Sequence, residues 1–421
     1  MSCADRNSAG AQWERLNSAT GTWRKCVPTS QLHRSRAVSL AVAGLLIAGS
    51  ASAQDTTSHQ WKLDRGGYLK HLHTTAFADR AEQLTAIDLV HHRLNLRLDV
   101  NDRLSVRLGM RNRFFYGEGI RAAHGFTRSI DADTGLVRMS VRWLDRPGAA
   151  LLTTFDRVTV RLARKRWMMD LGRQRINWGM NTVWNPNDLF NAYNFLDFDY
   201  EERPGRDAVR VQYFANAERT VDLAFAPGRN NDEHIGAVRY GFSRWRYDMQ
   251  LLAGLYRTDL VLGSGWAGNI KDAGFKGEVT LFMPRDHLDD STGVLTASIT
   301  LDRTFPGEWY LSAAYLYNSL GDGVLLPGNT LTGPPISARR LLPFEHTCYF
   351  GCSKSFSPVT AFNLAMVHAP YRSSTIFFPT FTYSAAADLD LDLTLQSFFA
   401  DDGEAWATRS NAVYLRLRWS Y

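Results

Sequence analysis

The sequence predicts an all-β fold: a transmembrane antiparallel up-and-down β-barrel of about 18 strands, with 16 as the fallback. Three observations lead there. Apolar and polar residues alternate with period two over many separate stretches, the signature of strands with two unlike faces. Aromatic residues make up 12% of a chain whose mean hydropathy is nonetheless slightly negative, as expected when only one residue in two meets lipid and aromatic side chains ring the interfaces. Beyond the N-terminal region no run approaches the ~18 apolar residues of a helical span, and helical periodicity is absent over any long window.

The N-terminal region is a leader. Arg34 and Arg36 precede the apolar run 37–47, and Ala51-Ser52-Ala53 follows it, a charged flank, short apolar core and small-residue site that predict signal-peptide cleavage after Ala53. The polar lead 1–33 exceeds a normal charged region and predicts a true start further downstream. Residues 54–421 then form a single barrel domain. The leader carries Arg6, Arg15, Arg24, Lys25, Arg34 and Arg36 against Asp5 and Glu14, so its removal lowers the formal charge from +6 to +2. Bulk charge therefore gives no support to a nucleic-acid partner. Cys348 and Cys352 are the cysteines left after cleavage. On one extended strand their Cα atoms stand ~13 Å apart, too far for a disulfide, so they read as structural unless a turn intervenes.

Along the mature chain, Arg93, Asn95, Arg97 and Asp99 oppose Leu94, Leu96, Leu98 and Val100; from 103 to 113 Arg103, Ser105, Arg107, Arg111 and Arg113 oppose Leu104, Val106, Leu108 and Met110. A three-residue turn at 101–103 keeps both apolar faces on one side and sets Arg97 opposite Arg107. The pattern recurs at 137–143, 158–162, 295–302 and 389–396. Nineteen alternating segments are countable between 64–75 and 410–421. Single-chain bacterial barrels have an even number, and 117–135 alternates poorly, so 18 is the expectation. Tight links at 305–308, 355–358 and 386–388 read as periplasmic turns; the long stretches 177–205 and 319–345 face outside or fold into the lumen.

The last segment sets Val413, Leu415, Leu417, Trp419 and Tyr421 against Tyr414, Arg416, Arg418 and Ser420. It resembles the closing strand of Gram-negative outer-membrane barrels, which implies a cell outer-membrane location, outer-membrane lipid as surroundings, and recognition by the barrel assembly machinery through Tyr421. The stretch Gly172-Arg173-Gln174, Trp178-Gly179 and Asn185-Pro186-Asn187-Asp188 resembles porin-like outer-membrane barrels over about thirty residues. That resemblance implies a channel for small hydrophilic solutes.

If the apolar faces meet lipid, Arg93, Arg97, Arg107, Arg111, Arg138, Arg142 and Arg161 face the lumen, and an arginine excess there favours anions. The alternative is a solvated ion-pair lattice that fills the barrel. The long segment after residue 176 offers Asp197, Asp199, Glu201, Glu202 and Arg203, with Arg173 and Arg175 just ahead of it, as an inward constriction, or else a rigid loop held by Trp178 and Trp184. A plugged, non-transporting scaffold or adhesin is the alternative function. No catalytic constellation is evident: His91 and His92 point to opposite faces, and His71 and His73 share one without a nucleophile beside them. No metal or cofactor motif is assigned, and the oligomeric state is open because lipid-facing and subunit-facing stripes read alike.

Overall fold

The computed structural model describes residues 61–78, 84–123, 125–131, 133, 135–192, 205–287, 293–322, 336–401 and 406–421. The first strands are β1 (Lys62–Phe77), β2 (Thr85–Asn101) and β3 (Leu104–Tyr116), followed by the short helices α1 (Glu118–Ala122) and α2 (Phe126–Ile130). Next come β4 (Ser140–Arg146), β5 (Ala149–Arg164), β6 (Trp167–Gln174), β7 (Arg206–Phe214), β8 (Arg219–Ala226) and β9 (Ile235–Arg244). The wall continues through β10 (Tyr247–Tyr256), β11 (Asp259–Ile270), β12 (Ala273–Pro284), β13 (Val294–Phe305) and β14 (Trp309–Asp322). It ends with β15 (Phe344–Ser357), β16 (Thr360–Ala369), β17 (Ser374–Ala386), β18 (Leu389–Asp401) and β19 (Trp406–Ser420).

Each strand pairs antiparallel with its neighbour, and β1 pairs with both β2 and β19, closing an 18-strand barrel. The nineteenth strand, β4, does not span. The segments read as 136–144 and 156–164 are β4 and the lower part of β5, and β3 pairs directly with β5 over its whole length. On its other edge β5 pairs with β6 over 158–164 and with β4 over 149–154. β6 thus stops half-way up the wall and β4 continues its line.

One rim carries tight turns and the other the long connections, because up-and-down pairing returns every second link to the same side. The tight rim uses two-residue turns with left-handed backbone at Lys165, Trp245, Arg246 and Lys271, the geometry that matches strand twist. Turns fall at Pro306–Glu308 and Ala387–Asp388 as expected, whereas the 355–358 link turns slightly later, at Pro358–Val359. The β2–β3 turn differs from the three-residue form. Asn101 pairs with Leu104, a bulge absorbs Val100, and the Asn101 side chain accepts from the amides of Arg103 and Leu104, both at 2.9 Å. Below the bulge the register is the expected one, with Arg97 opposite Arg107.

The exterior is apolar: Leu162, Leu171, Leu223, Leu251, Leu262, Leu301, Leu393 and Leu415 all point away from the barrel and are exposed. Closure of β1 onto β19 leaves the sheet without a free end strand, so with such a belt the barrel satisfies the conditions for spanning a membrane. Cys348 and Cys352 lie on β15 as free thiols. The buried apolar clusters lie on the inward faces near the long-connection rim, where three segments fold inward. α1 and α2 bring Ile120, Phe126 and Ile130 against Leu72, Leu89, Phe115 and Leu152. The connection after β6 brings Ile176, Trp178, Leu189 and Phe190 against the β7–β13 wall. Leu341 and Leu342, ahead of β15, meet Trp184, Leu316 and Ile376.

Candidate functional site

The lumen below these inward segments is charged most densely along β2 to β9, with the pairs Lys276–Asp302 and Arg416–Asp392 farther round the wall. Period-two alternation on β2, β3, β5 and β7–β9 points Arg93, Arg97, Arg107, Arg111, Arg113, Arg157, Arg161, Arg210 and Arg239 inward, against Asp99, Asp156, Asp170 and Asp222. Two of these aspartates are ringed. Asp156, fully buried, meets Arg93 at 2.6 Å, with Arg157 at 3.7 Å and Arg111 at 3.9 Å. Asp222 receives Arg210 at 2.5 Å, Arg239 at 3.5 Å, the Gln212 amide and the Trp178 indole N–H. Asp170 holds Arg161 through two hydrogen bonds of 2.6 and 2.8 Å.

The cross-strand pair Arg97 and Arg107 is treated unequally. Asp99 holds Arg97 at 3.0 Å, while among the described residues Arg107 has no ion-pair partner. Like charges in register repel, so the positive potential concentrates there. The opposite wall is rich in hydroxyls, with Thr296, Ser298, Thr300, Ser312, Thr347 and Thr394 buried on it.

The residues singled out in the sequence separate in the structure. Arg93 and Arg161 are tied to aspartates on the lumen wall. Arg138 and Arg142 both reach Asp131, at 2.7 and 3.3 Å, and fasten the end of α2. Arg173 is buried where β4 meets the end of β6. It donates to Asp207, Asp133 and the carbonyl oxygens of Val137 and Phe155, which uses its donors on protein groups. At Asp133, burial pushes the carboxyl up, yet the Arg173 guanidinium and the amides of Met139 and Gly135 outweigh it and hold it below the ordinary carboxylate value. Arg175 is exposed just past β6. Asp197, Asp199, Glu201, Glu202 and Arg203 lie outside the described residues.

The inward connection after β6 is fixed by a residue that the sequence reading passed over. Glu278 on β12 is fully buried, and its carboxylate accepts the backbone amides of Met180, Asn181 (2.7 Å) and Asn187 (2.9 Å). Hydrogen bonds to a charged acceptor contribute about 1.5–3 kcal/mol each, so this one side chain can hold a loop with no secondary structure of its own. Asn187 also donates to Ser264 O and accepts from Thr280, while the Gln250 amide donates to Trp178 O. Asn181 donates to Ser298, which donates to Trp184 O. The docking needs room: a Cβ on the inward residue Gly263 would lie 2.6 Å from Asn187 Oδ1. Inward glycines in Gly263-Ser264-Gly265 were the available signal, since a strand face without side chains invites another backbone.

A closed sheet, an apolar exterior and a charged lumen narrowed from one rim define a membrane-spanning β-barrel. No protein-family model and no curated protein sequence matches the chain. Its fold is similar to solved structures. Pseudomonas aeruginosa OccK2 (OpdF) superposes with a TM-score of 0.55 at 11% identity, over 85% of this chain and 97% of that one. Pseudomonas aeruginosa OccK8 (OprE) gives 0.53 at 10% identity, over 85% and 98%. Acinetobacter baumannii OccAB4 gives 0.52 at 7% identity, over 86% and 98%.

Proposed function

We propose that the chain is a porin-like channel of the Gram-negative outer membrane, carrying small hydrophilic solutes and favouring anions. The leader 1–53 directs it across the inner membrane and is removed. The observation that carries this reading is the lumen wall of β2, β3, β5 and β7–β9, where among the described residues inward arginines outnumber the aspartates they surround and Arg107 stands without a carboxylate. The proteins whose fold it shares are outer-membrane porins, which supports the location and the class. A wall with excess positive charge lowers the electrostatic cost of an anion passing the narrowing.

A second reading has its own observation. Three inward segments occupy the long-connection end of the barrel, as a plugged, non-transporting scaffold would require. Planar-bilayer recording of the purified barrel under a salt gradient decides between them. Stepwise currents reversing on the anion-selective side support the channel and its arginine wall. Cation preference keeps the channel and removes the role of the wall, and a folded barrel that never conducts establishes the scaffold.

A further inference from the structure

The outer wall carries a row of polar side chains where lipid is expected. On β3 the outward column runs Leu104, Val106, Leu108, Met110 and then Asn112; on β2 it runs Leu98, Leu96, Leu94 and then His92, which pairs with Asn112. Hydrocarbon cannot accept or donate a hydrogen bond, so these groups must satisfy one another.

They do so in one direction. The Trp143 indole N–H, which can only donate, gives its proton to Thr153 Oγ1 at 2.8 Å. The Thr153 hydroxyl must then donate onward, to Asn112 Oδ1 at 2.6 Å, which turns the Asn112 amide toward His92 Nδ1 at 3.1 Å. His92 Nδ1 is therefore the acceptor, and Nε2–H donates to the Tyr421 hydroxyl at 2.8 Å. Tyr421 Oη–H ends the chain on the carbonyl of Arg93 at 3.0 Å. The orientation of every member follows from the indole at its start.

The last link crosses a strand. Tyr421 lies just past β19 and exchanges backbone hydrogen bonds of 3.0 Å with Gly67 of β1, the final rung of the barrel seam. Its phenol then passes over Gly67 to reach β2. A Cβ at Gly67 would lie 2.8 Å from Tyr421 Oη and 2.1 Å from Arg93 O, so only glycine leaves the path open. The β1–β2 pairing is local, whereas the β1–β19 pairing joins the two ends of the wall and closes the barrel.

We infer that Tyr421, Gly67 and His92 form a latch on the seam, set by the hydrogen-bonded row from Trp143. It engages only once β19 has zipped onto β1, and it holds that seam shut against lateral opening. The inference does not depend on what passes through the lumen.

Residue-resolved hydrogen exchange on the intact purified barrel in detergent tests it, with Tyr421→Phe, His92→Leu and their combination. Tyr421→Phe keeps the ring and removes only the hydroxyl, so the barrel should still form. The latch predicts that each single change speeds exchange of the Gly67 and Tyr421 amides about tenfold, that the double change adds nothing further, and that amides of β10 and β11 are unmoved. Seam exchange that stays at the wild-type rate in Tyr421→Phe overturns the inference. So do two single effects that simply add, or acceleration spread evenly around the wall.

Discussion

Replacing Glu278 by Gln is the sharpest test of how the lumen is narrowed. The amide keeps the shape of the carboxylate and its Oε1 still accepts from Met180 and Asn181. The position of Oε2, which now accepts the Asn187 amide at 2.9 Å, becomes an NH2 group facing another N–H. One buried amide loses its acceptor and the remaining two lose the help of the charge. A buried donor left unsatisfied costs about 1–3 kcal/mol. A middle value of about 2 kcal/mol makes the docked state of residues 180–187 about thirtyfold less favoured against undocked ones, since every ~1.4 kcal/mol is a factor of ten. Two measurements read this. Exchange of the Asn181 and Asn187 amides should rise by about that factor while strand amides hold, and single-channel records should gain open-state noise as the loop visits undocked positions. Unchanged amide exchange would refute the claim that Glu278 anchors the loop; faster exchange with unchanged current would show that the anchored loop is not the narrowing.

Three further expectations follow from the same geometry. Arg107→Gln should move the reversal potential toward cations more than Arg161→Gln does, because among the described residues Arg107 stands without a carboxylate whereas the charge of Arg161 is already met by Asp170; equal shifts would count against that difference. Trp178→Phe removes the 3.0 Å donor to Asp222 but keeps an aromatic ring against Phe190, and should lower stability in urea by about 1 kcal/mol, while no change would mean that Arg210, Arg239 and Gln212 suffice for that carboxylate. Asp133 is held below its ordinary value, so the clamp it forms with Arg173 contributes stability that is present above about pH 4 and is lost as pH falls through the lowered folded value. Protease nicking within 133–139 should rise on that acid side, and Asp133→Asn should raise it at neutral pH with little further dependence on acidification.

The wall was legible in the sequence because each strand states its two faces residue by residue. Arg97 opposite Arg107 followed from matching the two apolar faces across a short turn, although the turn itself took another form, and the shared face of His71 and His73 followed from phase. The half-strand was harder. β4 alternates like a spanning strand, and only the three-dimensional stop of β6 at Gln174 tells where it belongs. Segments that fold into the lumen were least legible, since their positions are set by single contacts far away in sequence. Glu278 stands in Gly277-Glu278-Val279 as one polar inward residue among many, and nothing local shows that three amides about ninety positions upstream will meet it. Arg173 shows the converse: its motif was visible, but only the fold reveals that its guanidinium is wholly engaged by Asp133, Asp207 and two carbonyls.

The joint between β4 and β6 ties two lengths together. Lipid offers a peptide group nothing to bond with, so the part of β5 above the reach of β6 would expose a bare edge if β4 were absent. A deletion that removes β4 therefore succeeds only if β6 grows upward by the same amount, and a longer β6 has no place beside β5 unless β4 retreats. The two segments share one edge of β5, and the height at which the chain leaves the wall after Gln174 can change only by moving the boundary between them.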